Sequence, residues 1–157
     1  MKAGDTAAPN VRVVAMGKRK ASSELSHLND KGEARMVEVG EKEVTKRSAT
    51  AEAVIRMTAD THAKLVVGNL RKGDVFSTAR IAAIMAAKRT PEAIPMCHPL
   101  QITGVDVAFD HNLSPDSQGR RGVSVRVTVT CTGRTGVEME AMHGASVAAL
   151  TVYDMAK

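Results

Sequence analysis

The sequence predicts an α+β fold, with an antiparallel sheet on one side and helices packed on the other. Three observations support this prediction. Period-two alternation of apolar residues marks strands on both sides of a helical segment, residues typical of helix caps precede that segment's helices, and an alanine-rich helix ends the chain. Strands, helices, strands and a helix, in that order, are typical of a two-layer sandwich. The 157 residues are enough for one domain with its own core.

The N-terminal segment lacks the pattern of a regular element. Residues 1–24 show no sustained period and contain the polar cluster GKRKASSE. We therefore predict a flexible arm over 1–24 and a single α+β domain over 25–157. Deletion of the arm is then expected to leave stability and activity nearly unchanged. Within the domain, a short strand is predicted over 34–39.

The clearest strand covers Thr45–Met57. Its odd positions form a small apolar face, and its even positions are mostly polar. Arg47 is the exception on the apolar face. Two interpretations stay open: Arg47 lies at the open end of the strand and extends to water, or it faces a ligand.

Two helices are predicted after this strand. Thr58 is a suitable N-cap for a helix that runs to about Leu70. Asp74 can cap a second helix, which ends at about Arg89 with basic residues suited to a helix C-terminus.

Residues 94–100, IPMCHPL, hold a cysteine and a histidine between two prolines. A Thr-Pro pair at 90–91 predicts a brief helical turn that leads into this segment. Proline fixes its own φ and disfavours the helical region for the residue before it. We therefore predict that Met96, Cys97 and His98 lie in a rigid, extended loop, where an imidazole or a peptide N–H can be aimed at a ligand.

Two more strands and a helix complete the chain. Apolar residues alternate over 103–109 and 123–131, which predicts half-buried strands. The polar segment between them, 110–122, is predicted to be a long, mobile loop. Cys131 falls on the apolar side of its strand and is predicted to be a small core residue rather than a reactive thiol. After the turn TGRTG, an alanine-rich helix is predicted from 137 to 157. Its small residues Ala145, Ala148 and Ala149 are expected to let helices of neighbouring subunits pack closely.

The composition limits the kind of partner. The net charge of +5 suggests an anionic ligand, and two Phe, one Tyr and no Trp offer few stacking platforms for single-stranded nucleic acid. The two cysteines lie outside any CxxC motif and give no zinc or disulfide signature. The chain opens without a signal-peptide pattern, and its longest uncharged segment is too short and too polar to span a bilayer. We expect a cytoplasmic protein that binds a phosphorylated small molecule, without a membrane or nucleic-acid partner.

Polar residues gather at the ends of the predicted elements, where binding sites are commonly built. They are Lys72 in RKGD, His98 in the proline-flanked loop, Glu138 and Glu140 in GVEME, and Asp154 and Lys157 near the end of the last helix.

Each of these residues also has a purely structural interpretation. Lys72 could be a solvated turn lysine. Glu138 and Glu140 could complement the helix dipole, which is worth ~0.3–1 kcal/mol. Asp154 and Lys157 could be a surface ion pair one turn apart, worth ~0.2–0.5 kcal/mol. Taken one by one, the residues indicate only a domain that binds a phosphorylated ligand.

Taken in order, four segments are more specific. GEARMVEV, KGDVFSTARIAAIMAAKRTPEAIPMCHPLQITGVDV, TGRTGVEMEAM and ASVAALTVYDMAK closely resemble the MoaC family, the cyclic pyranopterin monophosphate synthases of molybdenum cofactor biosynthesis. The resemblance runs from about residue 25 to residue 157. Its most telling pieces are KGDV, AAKRT, IPMCHPL, GVEME and YDM.

The resemblance implies a ferredoxin-like sandwich and a homohexamer built from dimers, with active sites between subunits. It implies a lyase that converts 3′,8-cyclo-7,8-dihydro-GTP to cyclic pyranopterin monophosphate and pyrophosphate. No cofactor or protein-bound metal is implied, and whether Mg²⁺ accompanies the triphosphate is left open.

The resemblance also assigns site residues by position. The catalytic residues that it implies are Asp154, Lys72 and Lys157. The substrate-binding residues that it implies are Met96, Cys97, His98, Met139, Glu140, Glu138 and Arg47. Lysines suit proton transfer when neighbours or burial adjust their pKa. The alternative is a basic ferredoxin-like nucleic-acid-binding module without catalysis, which predicts exposed aromatic residues on the sheet.

Overall fold

The computed structural model describes residues 10–16, 28–68 and 70–157. Its elements are, in chain order, β1 (Asn10–Met16), β2 (Thr45–Met57), α1 (Ala59–Val66), α2 (Val75–Lys88), α3 (Thr90–Ala93), β3 (Ile102–Leu113), β4 (Arg121–Gly133) and α4 (Glu138–Ala156). The strands form one antiparallel sheet in the order β1-β2-β4-β3. The predicted α+β fold is confirmed.

The topology is that of a ferredoxin-like sandwich. Since β2 and β3 are each antiparallel to β4, they run parallel to one another with β4 between them. The helices α1 to α3 connect β2 to β3, which makes a split β-α-β unit, and α4 follows β4. The remaining edge of the sheet, beside β2, is taken by β1.

The core lies between one face of the sheet and the helices α2 and α4. Alternate residues of β2 and β4, such as Ile55 and Val127, are fully buried there. At Gly144 of α4, an added Cβ would lie 3.1 Å from the Ala83 carbonyl oxygen and 3.1 Å from Val127 Cγ1. Glycine in a helix interior costs roughly 0.5–1 kcal/mol relative to alanine. Its place here is explained by the close approach of α4 to both α2 and β4.

Both predicted helix caps are confirmed. The Thr58 hydroxyl accepts the Thr61 N–H at the start of α1. The Asp74 carboxylate accepts the Ser77 N–H at the start of α2, and hydrogen bonds from Ser77 hold the pKa of that carboxyl below its usual value. Within the described residues, we find no helix whose length and apolar character would let it cross a membrane.

Two predicted boundaries are wrong. The helix α1 ends at Val66 rather than near Leu70, because Gly68 takes a φ of 74° and leaves the helical region. The predicted loop over 110–122 is too long, since β3 continues to Leu113 and β4 begins at Arg121. The remaining connection, 114–120, is organised by one aspartate, whose carboxylate accepts two backbone N–H groups of the same loop.

The strand predicted over 34–39 is absent. The structure contains only an isolated bridge between Leu28 and Ala34. Among the described residues this segment has no strand beside it, because β1 and β3 form the edges of the sheet. One backbone carbonyl of the segment, that of Val37, instead accepts a hydrogen bond from the His98 side chain.

The predicted arm over 1–24 is wrong for residues 10–16, which form β1. This strand pairs with β2 from Asn10 opposite Arg56 to Met16 opposite Thr50, and Val13 packs against the core. The physical reason is the length of β2, which would otherwise present a long row of unpaired backbone groups. The rest of the predicted arm, 1–9 and 17–24, lies outside the described residues.

Deletion of residues 1–24 is therefore expected to lower the thermal midpoint, in contrast to the expectation from the sequence. The loss of β1 exposes the edge of β2 and the surface under Val13. Removing a partly buried valine alone lowers the free energy of unfolding by about 1 kcal/mol or more. For a chain of this size, this lowers the thermal midpoint by about 2–4 °C or more. Deletion of 1–9 alone, which keeps β1, is the matched control. An unchanged midpoint after the longer deletion would contradict the pairing.

Candidate active site

A cleft of about 390 Å³ opens where three segments meet. One wall is the irregular segment 37–42, the second is the loop 94–100, and the third is the first turn of α4 with the turn before it. Six of the seven residues predicted to bind substrate line this cleft: Met96, Cys97, His98, Glu138, Met139 and Glu140.

The loop 94–100 is held in place from both sides. Inside the loop, the Cys97 N–H donates to the Ile94 carbonyl at 3.0 Å. Across the cleft wall, His98 Nε2 lies 2.8 Å from the Val37 carbonyl oxygen. Since a carbonyl can only accept, we assign the proton of the neutral ring to Nε2, which leaves Nδ1 as an acceptor. The loop is therefore held in place, but the bond from Cys97 to Ile94 closes a turn at Pro95 and Met96. The extended conformation predicted for Met96 is wrong.

The N-terminus of α4 also points to the cleft. Its N-cap, Val137, provides no side-chain hydrogen bond, and the first backbone bond of the helix is donated by Ala141. The N–H groups of the first turn are therefore available to a ligand, at the positive end of the helix dipole. Glu138, Met139 and Glu140 belong to this turn.

Burial raises the pKa of two groups in the cleft, the Glu140 carboxyl and the Cys97 thiol. Glu140 is only 3% exposed, and burial, assisted by the nearby charge of Glu138, raises the pKa of its carboxyl. Burial and then the Glu140 charge raise the pKa of the Cys97 thiol. Cys97 thus stays a neutral thiol and is a poor nucleophile. Cys131 is fully buried, which confirms its prediction as a core residue.

Replacing Glu140 by glutamine is expected to change the pH dependence of stability. Because the pKa of Glu140 is higher in the folded chain than its usual 4.5, the folded state holds this proton more tightly than the unfolded state does. Wild-type stability therefore falls as pH rises from 4.5 through the folded pKa. Glu140→Gln removes this loss. The stability of the variant relative to wild type, measured as the free energy of unfolding, should therefore be greater at pH 8 than at pH 5.

Urea denaturation at the two pH values measures this difference. Glu138→Gln is the matched control, because Glu138 lies two residues away and is exposed. The same stability difference for Glu140→Gln at both pH values would show that burial does not perturb this carboxyl.

The three residues predicted to be catalytic form a second group, which we call the lysine cluster: Lys72, Asp154 and Lys157. Lys72 Nζ donates to the backbone carbonyl of Asp154 and lies 3.2 Å from its carboxylate. Lys157 Nζ lies 2.8 Å from the other carboxylate oxygen. Each side chain is about half exposed, between 45% and 58%.

The charges of the lysine cluster are strongly linked. Hydrogen bonds from Lys157 and then Lys72 hold the pKa of Asp154 below its usual value. The same contact with Asp154 raises the pKa of Lys157. Two ammonium groups share one carboxylate, so the cluster has a net positive charge near neutral pH and suits an anionic ligand.

The cleft and the lysine cluster lie at opposite ends of α4. Glu140 and Asp154 are 14 residues apart in this helix (140 to 154), or about 21 Å at roughly 1.5 Å per residue. The structure thus brings together six of the predicted residues at one end and three at the other, but does not join the two groups within the chain.

Arg47 belongs to neither group. It lies on β2 opposite Cys131, and its Nε is buried without a hydrogen-bond partner among the described residues. An unsatisfied buried donor costs about 1–3 kcal/mol. The geometry therefore disagrees with an Arg47 that extends freely to water. Its role in substrate binding stays a prediction.

One wall of the cleft was not predicted from the sequence. Val37, Val39 and Lys42 line it, but residues 34–39 were predicted only as a strand and no role was predicted for Lys42. Thr135, in the turn TGRTG, was also missed. A signal for this wall is weak, because Lys42 lies among charged residues in GEKE. Among the described residues, no group of three or more His, Cys, Asp or Glu is arranged to hold a metal ion.

Comparison with known proteins identifies the family of this chain. The model of the MoaC family matches residues 36–157. A protein of Herpetosiphon aurantiacus named cyclic pyranopterin monophosphate synthase is 56% identical over 133 residues, which cover 85% of this chain and 78% of the relative. Relatives of the same name from Staphylococcus carnosus and Brucella ovis are 49% and 51% identical, over 86% and 87% of this chain and 81% and 79% of the relatives. The chain therefore belongs to the MoaC family.

Proposed function

We propose that the chain is a cyclic pyranopterin monophosphate synthase of molybdenum cofactor biosynthesis. It converts 3′,8-cyclo-7,8-dihydro-GTP to cyclic pyranopterin monophosphate and pyrophosphate, and so acts as a phosphorus–oxygen lyase. The observation that carries this proposal is the convergence of Lys72, Asp154 and Lys157 in a chain whose relatives have this name.

The cleft binds the guanine-derived ring system of the substrate. Met96 and Met139 offer it apolar contact, and the buried carboxyl of Glu140 offers it a hydrogen bond. The free Nδ1 of His98 and the N–H groups of the first turn of α4 add an acceptor and donors. A concave site with few polar groups on apolar walls is typical of small-molecule recognition.

The lysine cluster acts on the phosphate end of the substrate. Its net positive charge offsets the triphosphate and the charge that develops on the leaving pyrophosphate. The hydrogen bond with Asp154 raises the pKa of Lys157 and so favours its ammonium form, which supplies positive charge to the phosphates. Asp154 keeps both ammonium groups in place.

The proposed reaction requires no cofactor resident in the chain. Its steps are proton transfers, bond rearrangement within the ring system and displacement at the α-phosphorus by a ribose hydroxyl. Any Mg²⁺ would enter with the triphosphate, as part of the substrate.

We also propose that the active site is shared between subunits of a homohexamer built from dimers. The separation of the cleft from the lysine cluster, about 21 Å along α4, supports this arrangement, since one nucleotide cannot contact both groups of a single chain. We further propose a cytoplasmic location, which suits the two free cysteines, Cys97 and Cys131.

The alternative, a nucleic-acid-binding module, lacks support from the sheet. It predicted exposed aromatic residues on the open face. Phe76 and Phe109 instead pack against each other, with ring centroids 5.1 Å apart, and Thr50 and Thr128 form a hydrogen bond across β2 and β4. Threonine hydroxyls give bases no surface for stacking.

Incubation with the cyclised GTP tests the proposed function. Pyrophosphate release and pterin formation are measured together, with the Staphylococcus carnosus relative in parallel. Equal amounts of both products are expected. A folded chain that releases neither product, under conditions where the relative is active, would exclude the proposal.

A further inference from the structure

Thr90 is completely buried where α2, α3 and α4 meet. Its hydroxyl oxygen lies 3.1 Å from the Ala87 carbonyl, 3.3 Å from the Ala86 carbonyl and 3.2 Å from His143 Nδ1. Carbonyl oxygens only accept, and the hydroxyl has one proton, which is therefore directed to α2. We assign the remaining contact as a hydrogen bond from His143 Nδ1–H to the Thr90 oxygen.

Thr90 is the first residue of α3, with Arg89 as the cap. From there it is connected to the cleft through the backbone. The Thr90 carbonyl accepts the Ile94 N–H at 2.9 Å, and the Ile94 carbonyl accepts the Cys97 N–H at 3.0 Å. Ile94 and Cys97 both line the cleft.

His143 is connected to the opposite wall. It follows Glu140 by three residues in α4, so the two side chains lie on the same side of the helix, one turn apart. The hydrogen bond between His143 and Thr90 thus links the helix that carries Glu140 to the loop that carries Cys97 and His98. His143 itself does not line the cleft.

We propose that His143 is a positioning residue for the proposed reaction, which acts through Thr90 to set the spacing between the loop 94–100 and the first turn of α4. A directional bond suits this purpose better than apolar packing, because a buried, satisfied polar contact selects one arrangement of the elements that it joins. The proposal depends on the proposed function for its effect on catalysis, but not for its effect on the loop.

Steady-state kinetics of four variants tests the catalytic effect. Thr90→Val and His143→Phe remove the bond at similar side-chain volume, whereas Thr90→Ser and His143→Asn keep a hydroxyl and a nitrogen donor. We expect the first two to raise KM on the order of tenfold with little change in kcat, since misplaced binding groups weaken binding. The KM values of the two conservative variants should stay within about twofold of wild type. The KM of the double variant Thr90→Val/His143→Phe should be no higher than that of the more impaired single variant, because both substitutions remove the same bond.

Alkylation of Cys97 by iodoacetamide tests the effect on the loop without any turnover. Thr90→Val and His143→Phe should raise its rate on the order of tenfold, as a loosened loop exposes the thiol. The buried Cys131 in the same chain is the internal control, and its rate should not change. If Thr90→Val does not fold, His143→Phe is sufficient, because His143 is only half-buried.

The two measurements separate failure of this inference from failure of the proposed function. An inactive wild-type chain whose Cys97 still becomes reactive in the variants would refute the function but support the role in positioning. Variants with a lowered thermal midpoint, but with unchanged KM and unchanged Cys97 reactivity, would show that the bond is only structural and would overturn the inference.

Discussion

Replacing either Lys72 or Lys157 by alanine is expected to abolish turnover while the fold survives. Both ammonium groups contact Asp154 and supply the positive charge of the lysine cluster. Removing one group that stabilises charge in the transition state typically lowers kcat by about 10²–10³-fold, and the loss of a proton-transfer group by about 10²–10⁴-fold. The side chains are about half exposed, so their ion pairs add little to stability.

In these variants product formation should therefore be lost, while the thermal midpoint stays close to that of wild type. Lys64→Ala is the matched control, because Lys64 forms an exposed ion pair with Asp60 at 2.7 Å in α1, outside both proposed site regions. It should keep full activity. Product formation near the wild-type rate by Lys72→Ala or Lys157→Ala would remove that lysine from the mechanism.

Arginine at the same positions distinguishes charge from proton transfer. Arg keeps the positive charge but does not give up its proton at working pH. If Lys157 donates a proton, Lys157→Arg should be nearly as inactive as Lys157→Ala. If a lysine serves only to neutralise phosphate, its arginine variant should retain a substantial part of the activity.

The parts of the fold that could be predicted are those with local causes. The alternation in β2 and β4 and the caps at Thr58 and Asp74 depend on residues a few positions apart. The strand β1 depends on β2, which is about 40 residues away in sequence, and its own pattern is too irregular to indicate this pairing. Residues 34–39 show the opposite case, in which a short segment predicted as a strand has no partner strand in the part of the chain that the structure describes.

The residues of the candidate site divide in the same way, into those with a local signal in the sequence and those whose position depends on distant parts of the chain. The residues of IPMCHPL and GVEME were predicted as a set through resemblance, and each motif is short enough to act as a unit. Their grouping in one cleft, and the approach of Lys72 to Asp154 across 82 residues, depend on tertiary packing. The wall at Val37 could not be predicted, because its place depends on a bond to His98 across 61 residues.

One interpretation of α4 from the sequence needs correction. Its small residues Ala145, Ala148 and Ala149 were expected to let helices of neighbouring subunits pack closely. All three are fully buried in the core of this chain. Outward-facing apolar side chains such as Ile81 of α2 and Leu150 of α4, each 60% exposed, are better placed for contact with another subunit.

Two inactive variants are expected to restore activity to each other when they share an assembly. Lys72→Ala disables the lysine cluster and leaves the cleft intact, whereas His98→Ala disables the cleft and leaves the lysine cluster intact. If each active site combines the cleft of one subunit with the lysine cluster of its neighbour across a two-fold axis, a hybrid dimer contains one intact site and one doubly defective site. Random reassociation of equal amounts makes half of the dimers hybrid, so about a quarter of wild-type activity should return.

The control is a mixture of Lys72→Ala with Lys157→Ala. Both substitutions lie in the lysine cluster, so every site of a hybrid remains defective and no activity should return. If His98→Ala does not fold, because its bond to Val37 is lost, Glu140→Ala takes its place as the cleft variant, since it removes the buried hydrogen-bonding group. Hybrids are verified by differently tagged chains. No recovery of activity in verified hybrids would indicate a site within one chain and would contradict the shared-site proposal. Equal recovery in the control mixture would also contradict it, because no intact site is expected there.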